Sequence, residues 1–535
     1  MTRTRSREHP GTLPRTAEQP LIEWAPDAVR RAPVDLPAPY GDRSIERESL
    51  WYEFGAGDDA PPVPAWIGLP VPPMGAHVMP RPPECVRGGS RSELPRGTAD
   101  LLDTIAFPHG RAVAAGPDED LARALVASFG VQWSDPDNVY NPHRGYASPR
   151  CLYPVQVFLD DGEGWHLLEP ERHSLTALTA LTPLTAGSLR GRRRRIALTG
   201  RYTRIPRAYQ WFRGSLVNLE LGITLRALAM GLELFGLSGR LVLPGEGSAD
   251  LLDELGLSPR WEWSLPLVIE IGPETGTPAT HTCGSPGTPE DRPDDLSLAD
   301  VVRVNRTQAF ADPPSPVTPA VAPHVSAPPG ALSWAEVMWR RNSGRMPRRL
   351  LGMAGRRAPV SQASVTDAIR WLDVPPPGPS LRAAAELVTL TAVLQNVEGY
   401  EDGIHRVRDG RPELLVADRN AAARLEAEYG YGLGPGTGCD VRRASAIWFM
   451  SVKPRELFAR LGPDGWSAAQ YYCGWAMHGL CLSTTAHGMF TRPVRAFNEM
   501  PTQRILRLGD DEMITLAAVS GMPRHATHAL LDVRV

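Results

Sequence analysis

Two segments of this chain are apolar on nearly every side, and the rest of the pattern is arranged about them. Residues 207–232 carry Leu216, Leu219, Ile223 and Leu228 in a run with few interruptions, and residues 468–488 repeat that texture. A helix that is apolar all round has to lie between layers rather than on a surface. Around these two helices stand short runs of strand length: Val155-Gln156-Val157-Phe158-Leu159, Pro266-Leu267-Val268-Ile269-Glu270-Ile271, Ala446-Ile447-Trp448-Phe449-Met450, and residues 514–519. They are rich in β-branched and aromatic residues, which predicts strands. Asp160-Asp161-Gly162 after the first predicts a hairpin turn.

Amphipathic helices flank them. Pro117-Asp118-Glu119-Asp120 opens a helix that closes at Gly130, with proline and acids in the first turn where unpaired N–H groups favour them. Ser333-Trp334-Ala335-Glu336 has the form of a capping box. It starts a helix that runs into Met338-Trp339-Arg340-Arg341-Asn342-Ser343-Gly344-Arg345. A second helix is expected over 364–371, then a Pro-rich loop ending at Pro379-Ser380, strands over 386–395 and a turn over 399–403. In the first half the loop Ser148-Pro149-Arg150-Cys151-Leu152-Tyr153-Pro154 feeds directly into a strand.

The two folded stretches run in one order: helix, helix, Ser/Pro loop, strand pair, long apolar helix, strand. That predicts an internal repeat of about 200 residues and an α+β fold in two tandem halves. Residues 1–94 form a Pro/Arg-rich extension with isolated aromatics (Trp24, Trp51, Tyr52, Trp66) and no sustained period. The first half spans 95–272 and the second 331–535. Between them, 273–330 is dense in Pro, Gly, Thr and Ser, including Pro313-Pro314-Ser315-Pro316, and is expected to be a linker.

Charge changes the picture little. The 57 basic and 60 acidic residues of the 535-residue chain give a net charge of −3, which removes any global electrostatic case for nucleic acid or a membrane surface. One local block, Arg190-Gly191-Arg192-Arg193-Arg194-Arg195, is either a solvated loop or a docking patch for an acidic peptide. No apolar run approaches the roughly 20 residues of a membrane span, and the N-terminal stretch has no signal-peptide core, so a cytoplasmic protein is expected. The six cysteines show neither a CxxC pair nor metal-ligand spacing with histidine; reduced thiols and no metal are expected.

The candidate chemistry lies at the end of the capped helix. Three guanidinium groups and a hydroxyl there make a phosphate grip, because a doubly charged phosphate requires paired cations and donors. Taken alone, such a string is also a solvated helix terminus complementing the dipole. Its context is what distinguishes it. Arg340-Arg341-Asn342-Ser343-Gly344-Arg345, Asn396-Val397-Glu398-Gly399-Tyr400-Glu401-Asp402-Gly403, Gly488-Met489-Phe490-Thr491-Arg492-Pro493-Val494-Arg495-Ala496-Phe497 and Gly521-Met522-Pro523-Arg524 occur in one order. With Ser148-Pro149-Arg150-Cys151-Leu152-Tyr153-Pro154 of the first half, they resemble the nitroreductase-like flavoproteins. Within these they are most similar to the azoline dehydrogenases that make thiazoles and oxazoles in ribosomally synthesised peptides.

The resemblance implies flavin mononucleotide (FMN) as cofactor and a precursor peptide as substrate, with a cyclodehydratase as a possible partner. It implies a fused, internal pseudo-dimer, with further dimerisation left open. The FMN site would take Arg340, Arg341, Ser343, Arg345 and Arg524 from the second half and Ser148, Pro149 and Arg150 from the first. Val494, Arg495 and Ala496 would lie near the reactive edge of the flavin, and Tyr153 beside its ring. The first half has Ala106-Phe107-Pro108-His109-Gly110-Arg111 where the grip should be, so one flavin per chain is expected. The family's Lys-Tyr pair is missing: Thr203-Arg204 and Arg460-Leu461 stand in its places. Arginine is a poor base, which leaves Arg204 to orient and Tyr202 or Tyr209 as proton acceptor. The other readings are a reductase or dehydrogenase of the same fold acting on a small molecule, and a flavin-free scaffold for a cyclodehydratase.

Overall fold

The structure is a computed structural model. It describes residues 79–535 apart from 137–140, 163, 179–193, 210–211, 273–292, 322–330, 345–354, 430–439, 498, 510 and 525–529. The first half contains strands β1 (Arg91–Glu93), β2 (Val131–Ser134), β3 (His143–Arg144), β4 (Val155–Asp160), β5 (Trp165–Glu169), β6 (Ser174–Ala177), β7 (Arg194–Gly200), β8 (Gly239–Val242), β9 (Leu267–Ile271) and β10 (Ser315–Pro316). Its helices are α1 (Thr98–Asp103), α2 (Pro117–Phe129), α3 (Phe212–Leu234), α4 (Asp250–Glu254) and α5 (Leu296–Asn305). The second half contains helices α6 (Trp334–Arg340), α7 (Gln362–Leu372), α8 (Pro379–Leu387), α9 (Ala421–Ala427), α10 (Pro454–Leu461), α11 (Gly465–Ala486) and α12 (Glu499–Leu506). Its strands are β11 (Gly355–Arg356), β12 (Thr389–Leu394), β13 (Gly403–Arg408), β14 (Arg411–Ala417), β15 (Ala446–Val452), β16 (Phe490–Val494), β17 (Met513–Pro523) and β18 (Leu531–Asp532).

The repeat is present as topology. The first sheet contains the order β6-β5-β4-β7-β9-β8, and the second contains β14-β13-β12-β15-β17-β16. Every neighbouring pair in both is antiparallel. In each half the long apolar helix crosses between corresponding strands: α3 between β7 and β8, α11 between β15 and β16. The two helices then pack on each other. A Cβ on Gly222 would lie 2.0 Å from the carbonyl oxygen of Tyr471, and one on Gly474 would lie 2.0 Å from that of Leu219. Glycine is needed at both places because the backbones touch. Around this crossing Asn218 donates to Gln470 (2.8 Å), Gln470 to Ser215 (2.7 Å) and Asn218 to Ser467 (3.5 Å). Ser215 stands to Ser467, and Asn218 to Gln470, as Gly222 stands to Gly474 in sequence. Such reciprocity marks an isologous contact, here within one chain.

Four features differ from the sequence reading. The segment expected as a linker is partly core: α5 is N-capped by the Asp295 side chain, β10 pairs with β8, and Phe310, Val317, Ala320 and Val321 are buried. Proline density concealed it, and Pro316 is tolerated because β10 is an edge strand. The fold also begins before residue 95, since β1 joins β6 and Cys85 and Val86 pack beneath the first sheet. Residues 379–387 are helix α8 rather than loop and strand, with Pro379 in its first turn. Lastly, α3 is long and apolar enough to cross a membrane, but 94% of that window is buried inside the protein.

The C-terminal strand ties the halves together a second time. β18 pairs with β2 of the first half, completing a sheet in the order β18-β2-β3, and the Arg534 guanidinium lies 4.5 Å over the Trp339 ring at the end of α6.

Candidate functional site

The phosphate-grip stretch begins where α6 ends. Both halves of the predicted capping box are present on Ser333 and Glu336. The helix stops at Arg340, and Arg341 at φ −58°, ψ 121° turns the chain away from it. This turn separates neighbouring arginines. Arg340 stays outside, 54% exposed, paired with Glu336 at 2.9 Å. Arg341 turns inward and is 3% exposed. The chain that follows is fastened to β16: the Asn342 carbonyl accepts from the Thr491 N–H (3.2 Å), and the Ser343 carbonyl accepts from Arg492 Nε (2.8 Å). Arg345 lies outside the described residues.

Arg341 points across the interface into the first-half loop, donating to the Arg144 carbonyl at 3.3 Å. Its Nε and Nη1 are buried and have no hydrogen-bond partner among the described residues. A buried guanidinium with two unpaired N–H directions is costly unless an anion completes it. That is the chemistry of a phosphate.

The loop it meets is tightly held. Arg150 (φ 51°), Cys151 (φ 53°) and Tyr153 (φ 47°) are all left-handed, a conformation costing about 1–3 kcal/mol for residues with side chains. The surroundings fix it. The Tyr153 hydroxyl accepts from the Arg144 N–H (2.9 Å), Ser148 Oγ accepts from the Tyr153 N–H (2.9 Å), and the Leu152 carbonyl accepts from Arg204 Nε (3.0 Å). Ser148 in turn donates to Glu220 Oε2 on α3 at 2.5 Å. Arg144 donates to the Tyr146 hydroxyl (3.0 Å) and to Glu171 (2.5 Å), and its guanidinium sits 4.1 Å over the Tyr153 ring.

Burial sets the electrostatics of this cluster. It pushes the Glu220 carboxyl up to about 7, against the pull of Ser148, the Val155 N–H, Arg144 and Arg204. It pushes the Cys151 thiol up to about 11 despite Arg341, and the Arg204 guanidinium down to about 10 with help from Arg144. His478 on α11 is pushed down to about 3 by burial and by the charges of Arg226 and Arg341, so it is neutral.

A line of contacts carries the site from the loop to the second half. The Arg150 guanidinium lies 4.9 Å over the Tyr209 ring, Tyr209 stacks on Phe212 at 6.4 Å, and Arg495 lies 5.6 Å over Phe212. Arg495 is also held by the Ile514 carbonyl, and its neighbours Val494 and Ala496 are buried. The structure therefore brings Ser148, Pro149, Arg150, Arg204, Tyr209, Arg341, Val494, Arg495 and Ala496 to one stretch of the interface. Arg524 is turned to Asp440 at 2.8 Å. Tyr202 is fully enclosed, its hydroxyl has no partner among the described residues, and the charge it feels is that of Arg306. Its enclosure takes it out of a substrate's reach.

Sequence reasoning missed Glu220, Arg144 and Glu171, and gave Arg492 no role within its 488–497 string. A signal existed for the first: a carboxylate inside an apolar helix is seldom buried unless it is paired. The others are joined to the site only by the fold.

The corresponding place in the first half is filled. Arg111 is paired with Glu233 and also donates to the carbonyls of Pro108 (3.3 Å) and Gly110 (2.9 Å). Phe107 packs edge-on to Trp334 at 4.8 Å and stacks on Trp371 at 5.7 Å. Next to them Arg226, fully buried, donates to the carbonyls of Ala320 (3.2 Å), Trp371 (2.9 Å) and Trp475 (3.0 Å).

No family model and no curated protein matches the sequence. Among solved structures, the chain is similar to a protein from Anabaena variabilis assigned as a nitroreductase, with a TM-score of 0.59 and 14% identity over 86% of this chain and 98% of that one. A chain of the Escherichia coli microcin synthetase McbBCD complex, solved with truncated pro-MccB17 bound, matches at a TM-score of 0.28 and 11% identity over 34% of this chain and 71% of that one. A protein from Ralstonia eutropha assigned as a nitroreductase matches at 0.27 and 13% over 41% and 97%. Those two likenesses add nothing to the assignment. The first spans both halves, and with the topology above it establishes the fold: this is an α+β protein of the nitroreductase fold, with two copies of the sheet-and-helix unit in one chain.

Proposed function

We propose that the protein is a cytoplasmic FMN-dependent oxidoreductase that oxidises azoline rings to azoles on a ribosomally made precursor peptide, binding one FMN per chain between its halves. The observation that carries the flavin is Arg341: a guanidinium from one half, buried against the loop of the other, with two N–H directions unanswered. Arg341 and Ser343 would hold the phosphate, with Arg345 and Arg524 as further candidates. Ser148, Pro149 and Arg150 would wall the ring from the first half, and Val494, Arg495 and Ala496 would line its reactive edge. The flavin supplies the two-electron acceptor, which oxygen then reoxidises.

The chain's own residues do the rest. Arg150 over Tyr209, and Arg495 over Phe212, place cations beside aromatic faces at the interface, where they can orient a substrate and stabilise developing negative charge. The azoline substrate, and a cyclodehydratase that would make it, are supported by the motif resemblance. The test has two stages. Protein titrated with FMN should develop flavin absorbance at one equivalent, and Arg341→Ala with Ser343→Ala should abolish it. Incubation with a thiazoline-bearing peptide should then remove two hydrogens per ring by mass. No flavin uptake sinks the cofactor; uptake without any mass change sinks the azoline substrate and leaves an oxidoreductase of another specificity.

A further inference from the structure

The family's Lys-Tyr pair is absent, Arg204 is a poor base and Tyr202 is enclosed, which leaves Tyr209, 7% exposed beneath the Arg150 guanidinium, as the one proton acceptor the sequence still offers. The structure offers one that the sequence did not suggest. Ser148 sits on the interface loop, partly exposed, with its hydroxyl hydrogen directed at Glu220 Oε2 at 2.5 Å. Its oxygen also accepts from the Tyr153 N–H at 2.9 Å, which fixes the side chain. Glu220 is 1% exposed, and among the described residues its other oxygen accepts a single long bond, from the Val155 N–H at 3.4 Å.

We propose that Ser148 and Glu220 form the proton-accepting pair of this site, a reading that rests on the flavin function above. The proton of a ring C–H passes to Ser148 Oγ while the Ser148 hydroxyl proton passes to the Glu220 carboxylate. The hydride of the adjacent ring position would go to the flavin held there, so that loss of one proton and one hydride would leave the aromatic azole. Ser148 touches the substrate; Glu220 acts through it.

The surroundings suit such a role. Glu220 is faced by Arg144 and Arg204, by the Tyr146 hydroxyl and by the Cys151 thiol, with Glu171 beyond Arg144. Burial opposes its charge and the two arginines favour it. The balance leaves a carboxyl able to gain or lose a proton near neutral pH. A carboxylate that served only to anchor the loop would do so best if always ionised.

The test uses the full chain loaded with FMN, with anaerobic flavin reduction by a thiazoline peptide followed across pH. In the wild type the rate should rise with pH through a midpoint near 7. Glu220→Gln should lower it by about 100-fold and remove the acid limb, while FMN affinity stays within about threefold. Ser148→Ala should slow reduction likewise and Ser148→Thr should restore it. The component of the infrared carboxyl absorbance of the FMN-free protein that titrates near 7 and is lost in Glu220→Gln, where Glu499 remains, is the readout that needs no turnover. Unaltered rate and pH profile in Glu220→Gln, or no such component in the wild type, would overturn the pair and leave the flavin reading standing. Failure of the wild type to take up FMN would remove both.

Discussion

Replacing Arg341 by methionine separates a ligand-binding arginine from a structural one, because the two roles predict opposite signs. Methionine keeps most of the length and fills irregular apolar space. Among the described residues the Arg341 guanidinium makes one long bond, 3.3 Å to the Arg144 carbonyl, and leaves Nε and Nη1 unanswered. A bond of that kind contributes about 0.5–1.5 kcal/mol, while each buried unsatisfied donor costs about 1–3 kcal/mol. Arg341→Met should therefore leave the FMN-free protein as stable as the wild type, or more stable by about 1–3 kcal/mol.

Affinity for FMN should move the other way. Two charge-assisted hydrogen bonds from Nε and Nη1 to a phosphate contribute about 1.5–3 kcal/mol each, so the dissociation constant should rise by about 10²–10⁴-fold. Flavin fluorescence quenching measures the affinity, and urea unfolding of the FMN-free protein measures the stability. A variant that loses more than about 2 kcal/mol while binding FMN within about threefold of the wild type would show that Arg341 braces the interface and grips nothing.

Three further outcomes follow from the same structure. Gly474→Val drives side-chain atoms into the Leu219 carbonyl, which a Cβ alone would approach to 2.0 Å; stability to urea should fall by about 3 kcal/mol or more, and a fall under about 1 kcal/mol would mean that the helices do not cross there. Arg111→Ala should leave the FMN stoichiometry at one per chain, since that guanidinium is already paired with Glu233; a lower stoichiometry on flavin titration would place the phosphate in the wrong half. Glu220 is protonated in the folded chain at pH values where the unfolded chain has released its proton, so its contribution to stability falls as pH rises from about 4.5 to about 7, by about 3 kcal/mol in all. Glu499, raised by burial to the same level, adds a like slope, and Glu220→Gln should remove about half of the total across urea curves taken through that window.

The interface helices, their flanking strands and the capped helix before the grip could be read in the sequence because their signals are local. A helix apolar on all sides, a capping box and a run of β-branched residues announce themselves without partners. What stayed hidden depends on distant chain. The buried part of 293–321 looked like linker because its apolar residues are spaced by prolines, and only β8 gives β10 a neighbour. Arg144, in β3, carries no signal of its own; the fold alone sets it over Tyr153 and under Arg341. The difference between Arg340 and Arg341, the one exposed and the other buried, lies in a single backbone turn, and the sequence string treats them alike.

Fusion of the two halves explains why that turn matters on one side only. In a symmetric dimer each interface residue serves both sites, so neither site can be altered alone. Here the positions that correspond across the helix crossing have diverged. Arg226 on α3 corresponds by sequence offset to His478 on α11. Arg226 is fully buried, its guanidinium 5.5 Å from the Trp371 ring and 5.4 Å from that of Trp475, in the region closed by Phe107. His478 lies near Arg341 and is held neutral. A second guanidinium there would compete with Arg341 for an incoming phosphate or crowd it by like charge. An uncharged ring leaves Arg341, with two buried nitrogens unanswered among the described residues, free of a competing charge from that position. One side of the interface uses its arginine to join carbonyls and tryptophans, and in the proposed site the other side's arginine would meet the ligand.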